Sequence, residues 1–206
     1  MPLTKDRQYR ALPFTTPTKA EKKNKFDSDC YVEGYAAKYE RYLLFPVDGG
    51  KDIYEEFMPG CFRDCDMSDI IFQFDHAGKV YARQTNNTLT VEPDNVGLFI
   101  CADLSKTSAA RSMYEDIYVK NVTRMSWGFM PDHSTLEIIE DANSITIRHH
   151  KVKKIYDVSA VSIPANNDTE IQARNFANGA IDEMLKEIQK RKNHIKRINL
   201  LLEVAK

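Results

Sequence analysis

Short apolar runs, each closed by a turn signal, fill most of this chain. Tyr31-Val-Glu-Gly-Tyr-Ala-Ala-Lys-Tyr39 reads as a strand whose glycine marks a bulge or a close approach. Residues 53–62 mix acidic and apolar positions and contain the turn signal Pro59-Gly60. Ile70-Ile-Phe-Gln-Phe74 is a short apolar strand that ends at Asp75-His76-Ala-Gly78. Thr88-Leu-Thr-Val-Glu92 alternates, Pro93-Asp94-Asn95 turns, and Gly97–Asp103 runs back, which predicts a hairpin. Thr107 or Ser108 is placed to cap a helix reaching about Lys120, with Ala110, Met113, Tyr114 and Ile117 on one face. Strands follow at 122–130, 136–140 and 144–150. The run 152–163 is apolar on both faces, which predicts a central position in its sheet. Many short strands with regular turns favour a barrel or a sandwich. Residues 179–204 change period: Ile181, Leu185, Ile188, Ile195, Ile198 and Leu202 recur at helical steps opposite a basic face. Such a helix packs on its own domain or pairs with a second subunit or a scaffold protein.

These patterns divide the 206 residues into a flexible basic leader (1–27), a mainly β domain with helices (28–175) and an amphipathic basic C-terminal helix (176–206). Charge follows the same division. Residues 1–25 carry seven Lys/Arg against two Asp/Glu, and residues 180–206 carry seven against four. The rest is acidic, so phosphate is repelled from the body. The basic ends also lack interleaved stacking aromatics, and both facts argue against a nucleic-acid binder. The ends are solvated tails or contacts for an acidic partner. Cys30, Cys61, Cys65 and Cys101 match no zinc spacing and read as reduced thiols of a cytosolic compartment. No apolar run is long enough to cross a membrane, and the N-terminus lacks the apolar core of a secretory signal.

Three polar residues stand out against the apolar runs. Ser126 lies inside Met125-Ser-Trp-Gly-Phe129, which is not the strand–turn–helix nucleophile elbow. A strand serine is most often an ordinary hydroxyl, but Gly128 two residues on permits close approach of a substrate backbone. His76 sits at a strand end, where functional groups concentrate. Asp157 shares a strand face with Ile155, Ser159, Val161 and Ile163, and an unpaired carboxylate there would cost several kcal/mol, so it needs an imidazole or an arginine as partner. A hydroxyl nucleophile requires a base and a third group that holds that base, and these segments supply all three. His149 and His150 compete for the third role, and the sequence does not choose between them and Asp157.

The same stretches, in the same order, resemble the prohead proteases of tailed bacteriophages, serine peptidases of capsid maturation related to herpesvirus assemblin. Val32-Glu-Gly-Tyr-Ala36 resembles the family's opening strand, and Glu56-Phe-Met-Pro-Gly-Cys-Phe62 its acidic Pro-Gly segment. Asp75-His76 falls where the family keeps its catalytic histidine. Residues 83–89, Asp94 and Gly97-Leu98 resemble the blocks that follow, with Asn87 where glycine is usual before Thr-Leu. Met125-Ser-Trp-Gly-Phe129 resembles the nucleophile block, with Trp127 in place of phenylalanine. Asp157-Val-Ser-x-Val-x-x-Pro-Ala165 resembles a block that usually begins with glutamate.

The resemblance implies an α+β fold, a herpesvirus-protease-like closed β-barrel surrounded by helices. It implies a serine endopeptidase with Ser126 as nucleophile, His76 as general base, and Asp157 (or His149 or His150) as third member. No cofactor and no metal are needed. The implied substrate is the capsid protein precursor or a scaffold protein, together with the chain itself. The implied assembly is a homodimer, with no specific nucleic acid and no membrane, inside the phage procapsid in the bacterial host cytoplasm. The rival reading is a catalytically inactive capsid-assembly or scaffold-interaction module that keeps these residues as remnants.

Overall fold

The computed structural model describes residues 8–13, 25–47 and 49–162. The helix expected over 176–206, and the remainder of the leader, lie outside the described residues. In chain order the strands are β1 (Gln8–Pro13), β2 (Tyr31–Lys38), β3 (Tyr42–Phe45), β4 (Asp52–Phe57), β5 (Ile71–Phe74), β6 (Ala77–Arg83), β7 (Leu89–Pro93) and β8 (Gly97–Asp103). The helix α1 (Ser108–Tyr118) follows, then β9 (Arg124–Pro131), β10 (Leu136–Glu140), β11 (Ser144–His149) and β12 (Val152–Val161). The Thr107 side chain caps α1 by accepting from the Ala110 N–H, and Ala110, Met113 and Ile117 are its buried face. Gly97 opens β8 where any Cβ would lie 2.0 Å from the Ala37 carbonyl oxygen, so the ladder between β2 and β8 admits only glycine there.

The strands form three sheets, ordered β1-β9-β12-β5-β6, β10-β11-β4-β3 and β2-β8-β7. This corrects the expected closed barrel surrounded by helices. A barrel closes only when the first and last strands of one sheet hydrogen-bond to each other. Here each sheet ends in two edge strands that do not pair with one another, and α1 is the single α-helix among the described residues. The fold is therefore mainly β, with open sheets. Cover for the strand faces comes largely from other strands. Between β4, β11 and β9, Trp127 stacks on Phe129 at 4.1 Å, and Phe57 meets both edge-on at 5.1 and 5.4 Å. The edge-on contacts of Phe57 are an arrangement that aromatic quadrupoles favour.

The long apolar run lies centrally as expected: β12 pairs antiparallel with β9 and parallel with β5. Three strands escape the hydrophobic pattern. Gln8–Pro13, placed by the sequence in the leader, pairs antiparallel with β9. Tyr42–Phe45 is a four-residue edge. Ala77–Arg83 is an edge whose first four residues are exposed, so it shows no alternation.

Candidate active site

β5 and β6 form a hairpin in which Phe74 pairs with Ala77, leaving Asp75 and His76 as a two-residue turn. Both have positive φ, 47° and 58°. That is the signature of the turn whose twist matches the flanking strands, and it is uncommon for residues other than glycine. Asp75 holds the turn in place. Its N–H donates to the Ala160 carbonyl at 2.9 Å. Its carboxylate accepts from the Ser162 N–H at 3.0 Å and from the Ser162 hydroxyl at 2.8 Å. The tip of the hairpin is thus stapled to the end of β12, the strand that carries Asp157.

Ser126 on β9 faces Ser159 on β12 across the ladder, and Asp157 faces Gly128. Gly128 adds no Cβ to the face where the Asp157 carboxylate lies. His76 bridges the two strands. Its Nδ1–H donates to Asp157 Oδ2 at 2.5 Å, and its Nε2 accepts from the Ser126 hydroxyl at 2.6 Å. The Ser159 hydroxyl donates to the same Asp157 oxygen at 2.7 Å. The buried carboxylate therefore has the imidazole partner that its position demands, plus a second donor. The arrangement can deprotonate a hydroxyl, keep the imidazole in one tautomer and stabilise the imidazolium that forms.

The two competing histidines lie elsewhere. His150 is exposed and meets Glu137 at 2.9 Å. His149 is buried and hydrogen-bonds Glu55 at 2.8 Å, while its ring stacks on Phe57 at 4.6 Å. Its Nδ1 has no hydrogen-bond partner among the described residues. The structure brings Asp157 to His76, and neither His149 nor His150.

Glu55 belongs to a second cluster that the sequence did not reveal. Arg10 of β1 donates to both its carboxylate oxygens, from Nε at 2.5 Å and from Nη2 at 2.7 Å, and the Tyr42 hydroxyl donates to it as well. Burial alone would raise the Glu55 carboxyl. The charges of Arg10 and His149 outweigh that and hold it well below the ordinary carboxylate range. Burial and the Glu55 charge push the Tyr42 phenol well above its ordinary value. The clue available in sequence was an acidic residue at the period-two position between Ile53 and Phe57, both buried. Ser159 and Asp75 were also missed as supports, although Ser159 stands two residues from Asp157 on its face and Asp75 adjoins His76.

Burial pushes the thiols of Cys61 and Cys65 up to about 12, so these cysteines are protonated and weakly nucleophilic at neutral pH. Among the described residues, no three His, Cys, Asp or Glu side chains converge as a metal site, and no helix is long and apolar enough to cross a membrane.

A family model described as Caudovirus prohead serine protease matches residues 16–187. No curated protein and no solved structure matches the chain.

Proposed function

The chain belongs to the caudovirus prohead serine protease family, and from that membership and the site geometry we propose that Ser126, His76 and Asp157 are its catalytic triad. As a member it is a serine peptidase of capsid maturation. The observation that carries the residue assignment is the unbroken line of hydrogen bonds from the Ser126 hydroxyl through His76 to Asp157.

Ser126 Oγ attacks the scissile carbonyl as His76 Nε2 takes its proton. Asp157 stabilises the imidazolium through the Nδ1–H bond and fixes the tautomer in which Nε2 is the free base. The protonated imidazole then gives its proton to the leaving amine, leaving an acyl group on Ser126. A water molecule, deprotonated by the same nitrogen, hydrolyses that ester. The substrate in this reading is the capsid protein precursor or a scaffold protein inside the procapsid, and the chain also trims itself.

Incubation of the capsid precursor with purified chain, followed by mass spectrometry of the products, tests the reading. Ser126→Ala is expected to keep the fold and to lose turnover by about six powers of ten, as nucleophile loss does in triad hydrolases. Processing by Ser126→Ala at the wild-type rate would refute the assignment.

A further inference from the structure

β1 does more than extend a sheet. It is the outermost strand on β9, in a register that sets Ala11 opposite Ser126 and Arg10 opposite Trp127. An antiparallel strand laid along the nucleophile's own strand is how an extended peptide docks by β-addition, with main-chain bonds for affinity and alternate side chains for specificity. The neighbouring backbone then lies about 4.8 Å from β9. In this state Ser126 is only 4% exposed.

The side of β9 that Arg10 enters is lined for a guanidinium. Glu55 is fully buried and takes both Nε and Nη2 of Arg10, whose side chain is 11% exposed. The Gln8 side-chain oxygen accepts from Nη2 at 2.8 Å, and the guanidinium lies 5.6 Å from the centre of the Phe129 ring. Tyr42 and His149 hold the far side of the Glu55 carboxylate. A two-pronged charged contact of this kind reads arginine by shape as well as charge. For holding an edge strand in place permanently, an apolar plug would avoid the desolvation that a buried ion pair requires. Because β1 is an edge, its departure leaves the ladder β9-β12-β5-β6 intact.

We propose that residues 8–13 are a built-in, exchangeable occupant of the substrate slot along β9, and that Glu55 selects an arginine in the peptide residue adjacent to the one facing Ser126. This rests on the protease reading for its use of the word substrate. The slot and its arginine preference stand on the β1 register and the Glu55 cluster alone. When Arg10 leaves, an arginine of the incoming peptide replaces it on Glu55, so the same residues hold the chain closed and recognise what opens it.

The test uses the full chain with Ser126→Ala, so that nothing is cut, and a fluorescein-labelled peptide of residues 6–15 of this sequence. Adding Arg10→Ala to the protein weakens the internal competitor, and the peptide is expected to bind at least tenfold more tightly. Changing the peptide's own Arg10 to alanine is expected to weaken binding by about a hundredfold to a thousandfold, the size of a lost buried charge contact. Equal affinity for both proteins, or indifference to the peptide's Arg10, overturns the proposal. If the Arg10→Ala chain does not fold, hydrogen exchange on the chain carrying Ser126→Ala alone decides. Excess peptide is expected to strip protection from amides 8–12 while leaving β5 and β12 protected, and unchanged protection at 8–12 refutes the slot. Binding and exchange require no turnover, so an inert Ser126 would sink the protease reading without touching this one. Turnover that ignores arginine would do the reverse.

Discussion

At the scale of single residues, Asp157 is the most informative side chain. Its place among apolar neighbours requires a partner, and that was legible in sequence because burial penalises a lone carboxylate whatever the fold. Which partner it finds was not legible, since an imidazole and an arginine serve equally until the hairpin and the sheets are built. Ser159 was invisible for the opposite reason: a hydroxyl among apolar strand residues is commonplace. Asp157→Asn keeps the shape but no longer holds the tautomer, so kcat is expected to fall by about four powers of ten, the size of the same change in other triads. Ser159→Ala withdraws one donor from the same oxygen. It is expected to lower kcat by about tenfold to a hundredfold with KM unchanged, in keeping with the roughly 1.5–3 kcal/mol carried by a hydrogen bond to a charged group. Steady-state kinetics on a capsid-derived peptide separates the two effects, and an unchanged kcat for Ser159→Ala would remove it from the positioning set.

At the scale of the element, the β5–β6 hairpin presents His76. The sequence showed where β5 ends but not that the chain turns straight back, because β6 is an exposed edge with no alternation to detect. Asn87 shows how a departure from a family pattern acquires a reason. It has φ 59°, a region that glycine enters freely and asparagine tolerates better than most residues. Asp75 uses the same tolerance and then adds its two bonds to Ser162. Asp75→Ala gives up both bonds and leaves a β-unfriendly φ to a residue that dislikes it, so a stability loss of about 1–3 kcal/mol is expected. Turnover is expected to drop with it, because the tip that aims His76 loosens. Urea midpoints alongside kcat check this, and a stable variant with full kcat would show that the staple does not position the base.

At the scale of the whole molecule, the mainly β character and the central place of β12 were readable from apolar runs and turn residues. Closure was not, because periodicity says which side chains face inward and is silent on whether the last strand of a sheet meets the first. Long-range polar pairs are equally hidden: Arg10 and Glu55 are 45 residues apart in sequence yet fasten β1 to the molecule's interior. Glu55 titrates below its ordinary value of about 4.3 in the folded chain, so its contribution to stability is complete above that pH and declines as pH falls towards the folded value. Glu55→Gln is expected to destabilise the chain by about 3–5 kcal/mol at neutral pH, as breaking a buried pair does. The gap is expected to narrow below about pH 4. Urea midpoints at neutral and acidic pH measure it, and parallel curves for the two proteins would contradict the pairing. The central claim, that one hydroxyl in this chain is activated by His76, is tested most directly by covalent labelling with a fluorophosphonate and location of the adduct by peptide mass spectrometry. The prediction is a single adduct on Ser126 that forms in the wild-type chain and is abolished by His76→Ala; an adduct on another residue, or equal labelling of Ser126 without the imidazole, would contradict it.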